Sequence, residues 1–241
     1  MIRLENVTKV YRSRGVTTLV ADQINATFAT GASVGLLGRN GAGKSSLIRM
    51  ISGTMLPTSG RIWSDGTISW PVGFAASFHP ELTAAQNVRF VARIYGVDTD
   101  ELADFVREFA NLGHHFDRPY YTFSSGMRSR VAFGTSMGIA FDTYLIDEVT
   151  SVGDGDFRRR SEEVFQDRMS RAGAIVVSHS LALIRRLCTQ AAVLHQARLT
   201  FFDDVEEAIA MHEDLLGVPR SRVIMPAVAV PGQAVITADD D

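Results

Sequence analysis

Residues 38–46 read GRNGAGKSS, a stretch holding one of the two lysines in a 241-residue chain whose Lys and Arg together number 24. Gly38, Gly43, Lys44 and Ser45 fit the spacing G-x-x-x-x-G-K-[ST]. The match falls where that pattern must fall, after the apolar run ASVGLLG (32–38) and before SSLIRMIS (45–52), which has helical spacing and stops at Gly53. Glycines at 38, 41 and 43 let the backbone curl until successive N–H groups converge, and the helix N-terminus adds partial positive charge at the same point. Asn40 and Ala42 complete the curl. The Ser45 hydroxyl suits a Mg²⁺ ion and that of Ser46 a neighbouring phosphate. Lysine presents a compact ammonium that fits between β- and γ-phosphate oxygens, whereas the broad guanidinium of arginine fits poorly in so narrow a nest. Lys44 therefore stands against the arginine bias because the loop needs a point charge. On its own the loop implies a bound nucleoside triphosphate, a property that kinases, GTPases and motor ATPases share.

Working outward, IRLENVTKVY (2–11) and TTLVADQINATF (17–28) read as strands. RIWSDGTISW (61–70) puts an Asp-Gly turn between two strand-like pieces, which predicts a hairpin. The middle of the chain turns helical. TAAQNVRFVARIYG (83–96) is one helix, and another starts at Asp98 with Glu101 in a capping-box pattern. That second helix places Leu102, Phe105, Val106, Phe109 and Leu112 on one face. A third starts near Ser124. Alternation then resumes: TYLIDE (143–148) as a buried strand, a helix from Phe157, AIVVSHS (174–180) as a strand, LALIRRLC (181–188) as a helix, a hairpin over 191–203, and a last helix from Asp204 to Gly217. Residues 218–241 contain three prolines and an acidic end, and read as a mobile tail. The pattern predicts an α/β fold: a P-loop NTPase core with a parallel sheet, an N-terminal antiparallel β-subdomain and an inserted helical subdomain at about 80–140, together spanning 1–217.

Composition narrows the function classes. With 46% hydrophobic residues the chain can bury a sizeable core, and a net charge of −3 lacks the basic excess of a dedicated nucleic-acid binder. The single cysteine, Cys188, forms no internal disulfide and reads as a small buried hydrophobe. No apolar run approaches the roughly 18 residues that span a bilayer. His114 and His115 read as a solvated helix end, since two adjacent histidines do not close a metal site alone. Arg158–Arg160 reads as a wet helix face.

A second acidic motif lies in TYLIDE. Asp147, ending a buried strand, is placed to hold Mg²⁺, and Glu148 to polarise the attacking water. Between loop and carboxylates lies YTFSSGMRSR (121–130). Here the chain resembles the nucleotide-binding subunits of ABC transporters, whose signature is usually written LSGGQ. Phe123, Ser124, Ser125, Gly126 and Met127 align to it; Ser124 and Gly126 match, while Ser125 and Met127 depart. The resemblance implies ATP and Mg²⁺ as ligands, Glu148, His179 and Lys44 as the catalytic set, and Ser45 with Asp147 at the metal. It implies Tyr11 stacking on adenine, Ser124–Gly126 contacting ATP bound to a second copy of the chain, and Asp154 in the loop that crosses to that copy. The family also carries a glutamine at the link to the helical subdomain. PVGFAASFHPELT (71–83) has none, and Gln86 comes too late.

FSSGM, VGDGDF, SWPVGF and FHPELTAAQNV look like the branch that exports bacterial cell-surface polysaccharides, capsular ones in particular. O-antigen and teichoic-acid exporters are similar, but some add a C-terminal glycan-binding domain for which the 24 residues after Gly217 are too few. A soluble ABC ATPase without a permease is the rival; such chains usually show paired cassettes, coiled-coil inserts or basic extensions. The branch implies an ATPase on the cytoplasmic face of the inner membrane, peripheral through a separately encoded permease. The polysaccharide is not expected to bind this chain directly, and the permease cleft is placed near Phe74–Pro80.

Overall fold

The computed structural model describes residues 1–13, 15–73, 78–147 and 155–217. The first half of the chain forms β1 (Ile2–Ser13), β2 (Val16–Phe28), β3 (Ser33–Leu37), α1 (Lys44–Ile51), β4 (Ser59–Ser64), β5 (Ile68–Pro71), α2 (Ala84–Tyr95) and α3 (Thr99–Ala110). The second half forms α4 (Ser125–Gly138), β6 (Thr143–Asp147), α5 (Gly155–Met169), β7 (Gly173–Val177), α6 (Leu181–Leu187), β8 (Gln190–His195), β9 (Arg198–Phe202) and α7 (Val205–Leu216). The strands divide into a three-stranded antiparallel sheet, β2-β1-β4, and a six-stranded sheet, β5-β6-β7-β3-β8-β9. Strands β5 to β8 run parallel and β9 closes the edge as an antiparallel hairpin with β8.

The larger sheet is buried on both faces, which explains why its strands read as continuous apolar runs. Successive side chains point opposite ways. Tyr144, Ile146, Ala174 and Val176 join a core with α2 to α7. Their neighbours Leu145, Ile175 and Val177 join another with α1 and the antiparallel sheet. The first helix therefore lies between the two sheets, and the remaining helices pack on the far side.

Local signals set the ends of the middle helices. Thr83 accepts from the Gln86 N–H at 3.1 Å while the Gln86 side chain accepts from the Thr83 N–H at 2.9 Å, a reciprocal capping box. At Asp98 the carboxylate accepts from the N–H groups of Glu101 and Asp100, which holds its pKa below the usual value. Leu102, Val106 and Phe109 are buried as the spacing predicts, and α3 packs along α4. Cys188 caps the end of α6, and burial pushes its thiol pKa up to about 12, so it is an inert core group. His114 and His115 sit in a short turn with ring centroids 4.2 Å apart. Among the described residues no group of three or more His, Cys, Asp or Glu could hold a metal.

One expected element is different. The strands flanking Asp65-Gly66 do not pair with each other: β4 joins β1, with Arg3 opposite Trp63, and β5 runs parallel to β6, with Ile68 opposite Thr143. The Asp142 carboxylate accepts from the Thr67 N–H at 2.7 Å and from its hydroxyl at 2.8 Å. Asp65 engages the Met1 ammonium. These long-range partners pull the two ends of the turn into different sheets, so an Asp-Gly signal that is locally correct for a turn marks a crossing between layers.

The loop entering α2 is held by a buried side chain. Asn87 accepts from the His79 N–H at 2.7 Å and donates to the carbonyls of His79 (3.0 Å), Thr83 (3.0 Å) and Leu82 (3.3 Å). Truncation would leave several of these groups unpaired inside the protein. Asn87→Ala is expected to lower stability by about 1–3 kcal/mol, measured by urea unfolding.

Candidate phosphate-binding site

The parallel strands set the position of the site. Asp147 at the end of β6 lies in register with Val177 at the end of β7, and β3 ends beside them at Leu37. Ligands of open α/β sheets bind at this carboxyl edge. From Leu37 the chain reverses through Gly38–Gly43 into α1.

The reversal needs glycine for reasons visible in the packing. Gly38 has φ 150°, and a Cβ there would lie 2.5 Å from the Leu194 carbonyl oxygen of β8. Gly43, with φ 107°, is the N-cap of α1, and a Cβ there would lie 2.9 Å from the Val20 carbonyl of β2. The loop is thus wedged between the last parallel strand and the antiparallel sheet. Within it, the Ala42 N–H donates to the Arg39 carbonyl at 3.0 Å.

Asn40, Gly41, Gly43, Lys44, Ser45 and Ser46 line an open pocket of about 410 Å³, joined by Val20, Val177 and His179. The first turn of α1 carries no acidic residue of its own to offset the positive end of the helix. The Lys44 ammonium donates to the Gly38 carbonyl at 2.7 Å and the Arg39 carbonyl at 3.1 Å. His179 is exposed on the turn between β7 and α6. Tyr11 reaches the same place from β1, its hydroxyl 3.1 Å from the Ser46 Oγ. A hydroxyl at Ser45 and a carboxylate at Asp147 are hard oxygen donors of the kind Mg²⁺ takes when substrate phosphates complete its shell. The arrangement can hold a polyphosphate.

Ser124, Ser125 and Gly126 stand apart from this pocket. Ser124 caps α4, accepting from the Met127 N–H at 3.3 Å, and all three residues are exposed. The first turn of α4 is likewise free of acidic residues, making a second helix N-terminus open to an anion. Glu148 and Asp154 lie outside the described residues, as do 74–77 of the expected cleft wall and the 218–241 tail.

Residues 21–151 match the family model described as ABC transporter. The chain belongs to the ABC transporter family. As a member it is a nucleotide-binding ATPase. It is 44% identical over 221 residues to the polysialic acid transport ATP-binding protein KpsT of Escherichia coli, a match covering 89% of this chain and 99% of that one. It is 42% identical over 216 residues to the capsule polysaccharide export ATP-binding protein CtrD of Neisseria meningitidis serogroup B, covering 89% and 100%. The fold is shared with the ATP-binding cassette MJ0796 in a dimeric post-hydrolysis state bound to ADP and Pi, at a TM-score of 0.68 and 20% identity, covering 84% of this chain and 98% of that one.

Sequence reading missed several members of this ABC site. Val20 and the Leu194 carbonyl arrive by long-range packing, which no local pattern announces. His212 on α7 does not line the pocket, but its Nδ1 is buried without a hydrogen-bond partner among the described residues, and burial, then the Lys44 charge, lower its pKa, with Glu213 opposing. A depressed histidine pKa favours the neutral ring, so its contribution to stability is present above the unfolded value near 6.5 and is lost as pH falls through the folded value. Urea midpoints measured from pH 7 downward are expected to fall more steeply for the wild type than for His212→Leu. At the loop itself, Lys44→Ala is expected to abolish most ATP binding and turnover, measured by equilibrium binding and phosphate release; unchanged affinity would remove Lys44 from the site.

Proposed function

We propose that this chain is the ATP-hydrolysing subunit of an exporter that moves capsular polysaccharide across the bacterial inner membrane. The observation that carries the reading is the likeness to KpsT and CtrD along nearly their whole lengths, on a chain whose phosphate loop is built as described. On this reading residues 1–217 form the ATP-binding domain, with a helical subdomain at about 80–140 and a tail at 218–241.

Phosphates of ATP lie over the loop, held by its N–H groups, Lys44 and Ser46, with adenine against Tyr11. Ser45 and Asp147 would hold Mg²⁺, which would supply charge neutralisation at the phosphates. Glu148 orients the attacking water and accepts its proton, and His179 contacts the γ-phosphate. The loop N–H groups and α1 terminus are fixed before reaction, so they stabilise developing charge without reorganising.

Ser124–Gly126 complete the site of a second copy. Each chain carries an anion-binding helix terminus away from its own pocket, and two chains arranged head to tail would bring each terminus to the other's ATP. The dimeric state of MJ0796 bound to ADP and Pi supports such a pairing. Asp154 lies in the loop between the copies. Binding closes the dimer, and repulsion between the products reopens it. Among the described residues no helix is long and apolar enough to cross a membrane. A separately encoded permease would turn the closure into transport at the cytoplasmic face, and would contact the polysaccharide in place of this chain.

Replacing the carboxylate that activates water separates binding from chemistry. Glu148→Gln is expected to retain ATP affinity, reduce turnover by about 10²–10⁴-fold, and accumulate an ATP-bound dimer seen by light scattering. In cells, deleting the gene is expected to leave polysaccharide inside, with Glu148→Gln unable to restore surface display. Normal surface polysaccharide in the deletion strain, with no redundant exporter, would overturn the transport assignment.

A further inference from the structure

Tyr11 does more at this site than present a ring. It stands on β1 opposite Thr18, and its hydroxyl oxygen lies between two partners. It donates to the Met55 Sδ at 3.1 Å, and the Ser46 Oγ is 3.1 Å away. The ring is held by Lys9, whose ammonium sits 5.3 Å from the ring centroid and donates to the Leu56 carbonyl at 2.8 Å. Lys9, the other lysine of the chain, shares with Tyr11 one face of β1.

A phenol carries one hydrogen. With that hydrogen on Met55, the contact to Ser46 is made by the serine hydroxyl donating to the phenol oxygen. A phosphate oxygen only accepts, so Ser46 has to turn its own single hydrogen to bind one. The two oxygens would then face each other with no hydrogen between them, unless the phenol turns its O–H from sulfur to Ser46.

We propose that the Tyr11 hydroxyl is a positioning group for the phosphate loop: a hydrogen-bond switch that swings from Met55 to Ser46 as Ser46 engages a phosphate oxygen. The turn exchanges a weak thioether acceptor for a hydroxyl oxygen that is donating to an anion. Hydrogen bonds in such a chain polarise one another, so the relay strengthens the serine as a donor. Tyr11 thereby links the base side of the site to the first turn of α1. The inference rests on the phosphate-loop reading above.

The test uses the full chain and two probes, ATP and inorganic tripolyphosphate, which has no base. Tyr11→Phe keeps the ring and removes the hydroxyl. It is expected to weaken both probes about three- to tenfold, the worth of one hydrogen bond. The same change in a Ser46→Ala background is expected to cost little more, because the relay is already broken. Met55→Leu is expected to leave affinity unchanged or slightly tighter. Three results would overturn the proposal: Tyr11→Phe losing ATP but binding tripolyphosphate as the wild type does, additive losses in the double variant, or Met55→Leu as damaging as Tyr11→Phe. If tripolyphosphate binds too weakly to measure, additivity in the ATP arm decides. A wild-type chain that binds neither probe would instead sink the phosphate-loop reading itself.

Discussion

The reversal of the chain between Leu37 and Lys44 is the constraint on which the rest depends. It turns through Gly38, Gly41 and Gly43, all at positive φ, a path that the surrounding structure has to hold in place. Two walls do so. The Leu194 carbonyl of β8 stands where a Cβ on Gly38 would go, and the Val20 carbonyl of β2 closes on Gly43. Those walls belong to different sheets, so the loop is shaped only once both sheets are packed. The core shared by α1, the antiparallel sheet and one face of the parallel sheet supplies that packing.

The same arrangement explains why binding groups come from distant parts of the chain. A parallel sheet sends every strand's carboxyl end to one edge, so Asp147, Val177 and the loop meet there although they are far apart in sequence. Helix α4 is anchored elsewhere. Its small residues Gly134 and Gly138 lie against Phe109, Leu102 and Phe105 of α3, fixing Ser124 at the exposed end of a rigid helix pair. On the proposed pairing, a group that meets another chain's ligand would benefit from such a mounting, because less ordering is left to be done at contact.

What could be read from the sequence follows from the range of the interactions involved. The phosphate loop, the helix start near Ser124, and the alternation of strands and helices are local, and the structure places them as the residues suggest. The Asp-Gly turn at 65–66 was equally local, but its strands choose partners through Asp142 and Met1, beyond the reach of any local pattern. The β1–β2 pairing and the β8–β9 hairpin were legible because their strands are neighbours in the chain. His212 illustrates the opposite limit. Nothing about a histidine in an amphipathic helix distinguishes one that feels Lys44 from one that faces water.

Arginine and lysine share acceptor types in this chain and differ in where they stand. Arginines form forks with carboxylates: Arg107 meets Asp117 at 2.7 and 2.8 Å, and Arg185 meets Glu206 at 2.7 and 3.0 Å. A planar group with paired donors suits two parallel oxygens. Arginines also take single acceptors: Arg128 donates to the Tyr121 carbonyl at 3.0 Å and lies over the Tyr120 ring, and Arg168 donates to the Met137 carbonyl at 2.7 Å. Lys44 donates to two carbonyls of its own loop, and Lys9 donates to one carbonyl while lying over the Tyr11 ring. Single carbonyls and a ring face present no paired acceptors, and a compact ammonium can satisfy them from a flexible stem. A chain that otherwise prefers arginine places both its lysines around the phosphate loop, where an ammonium takes less room than a guanidinium.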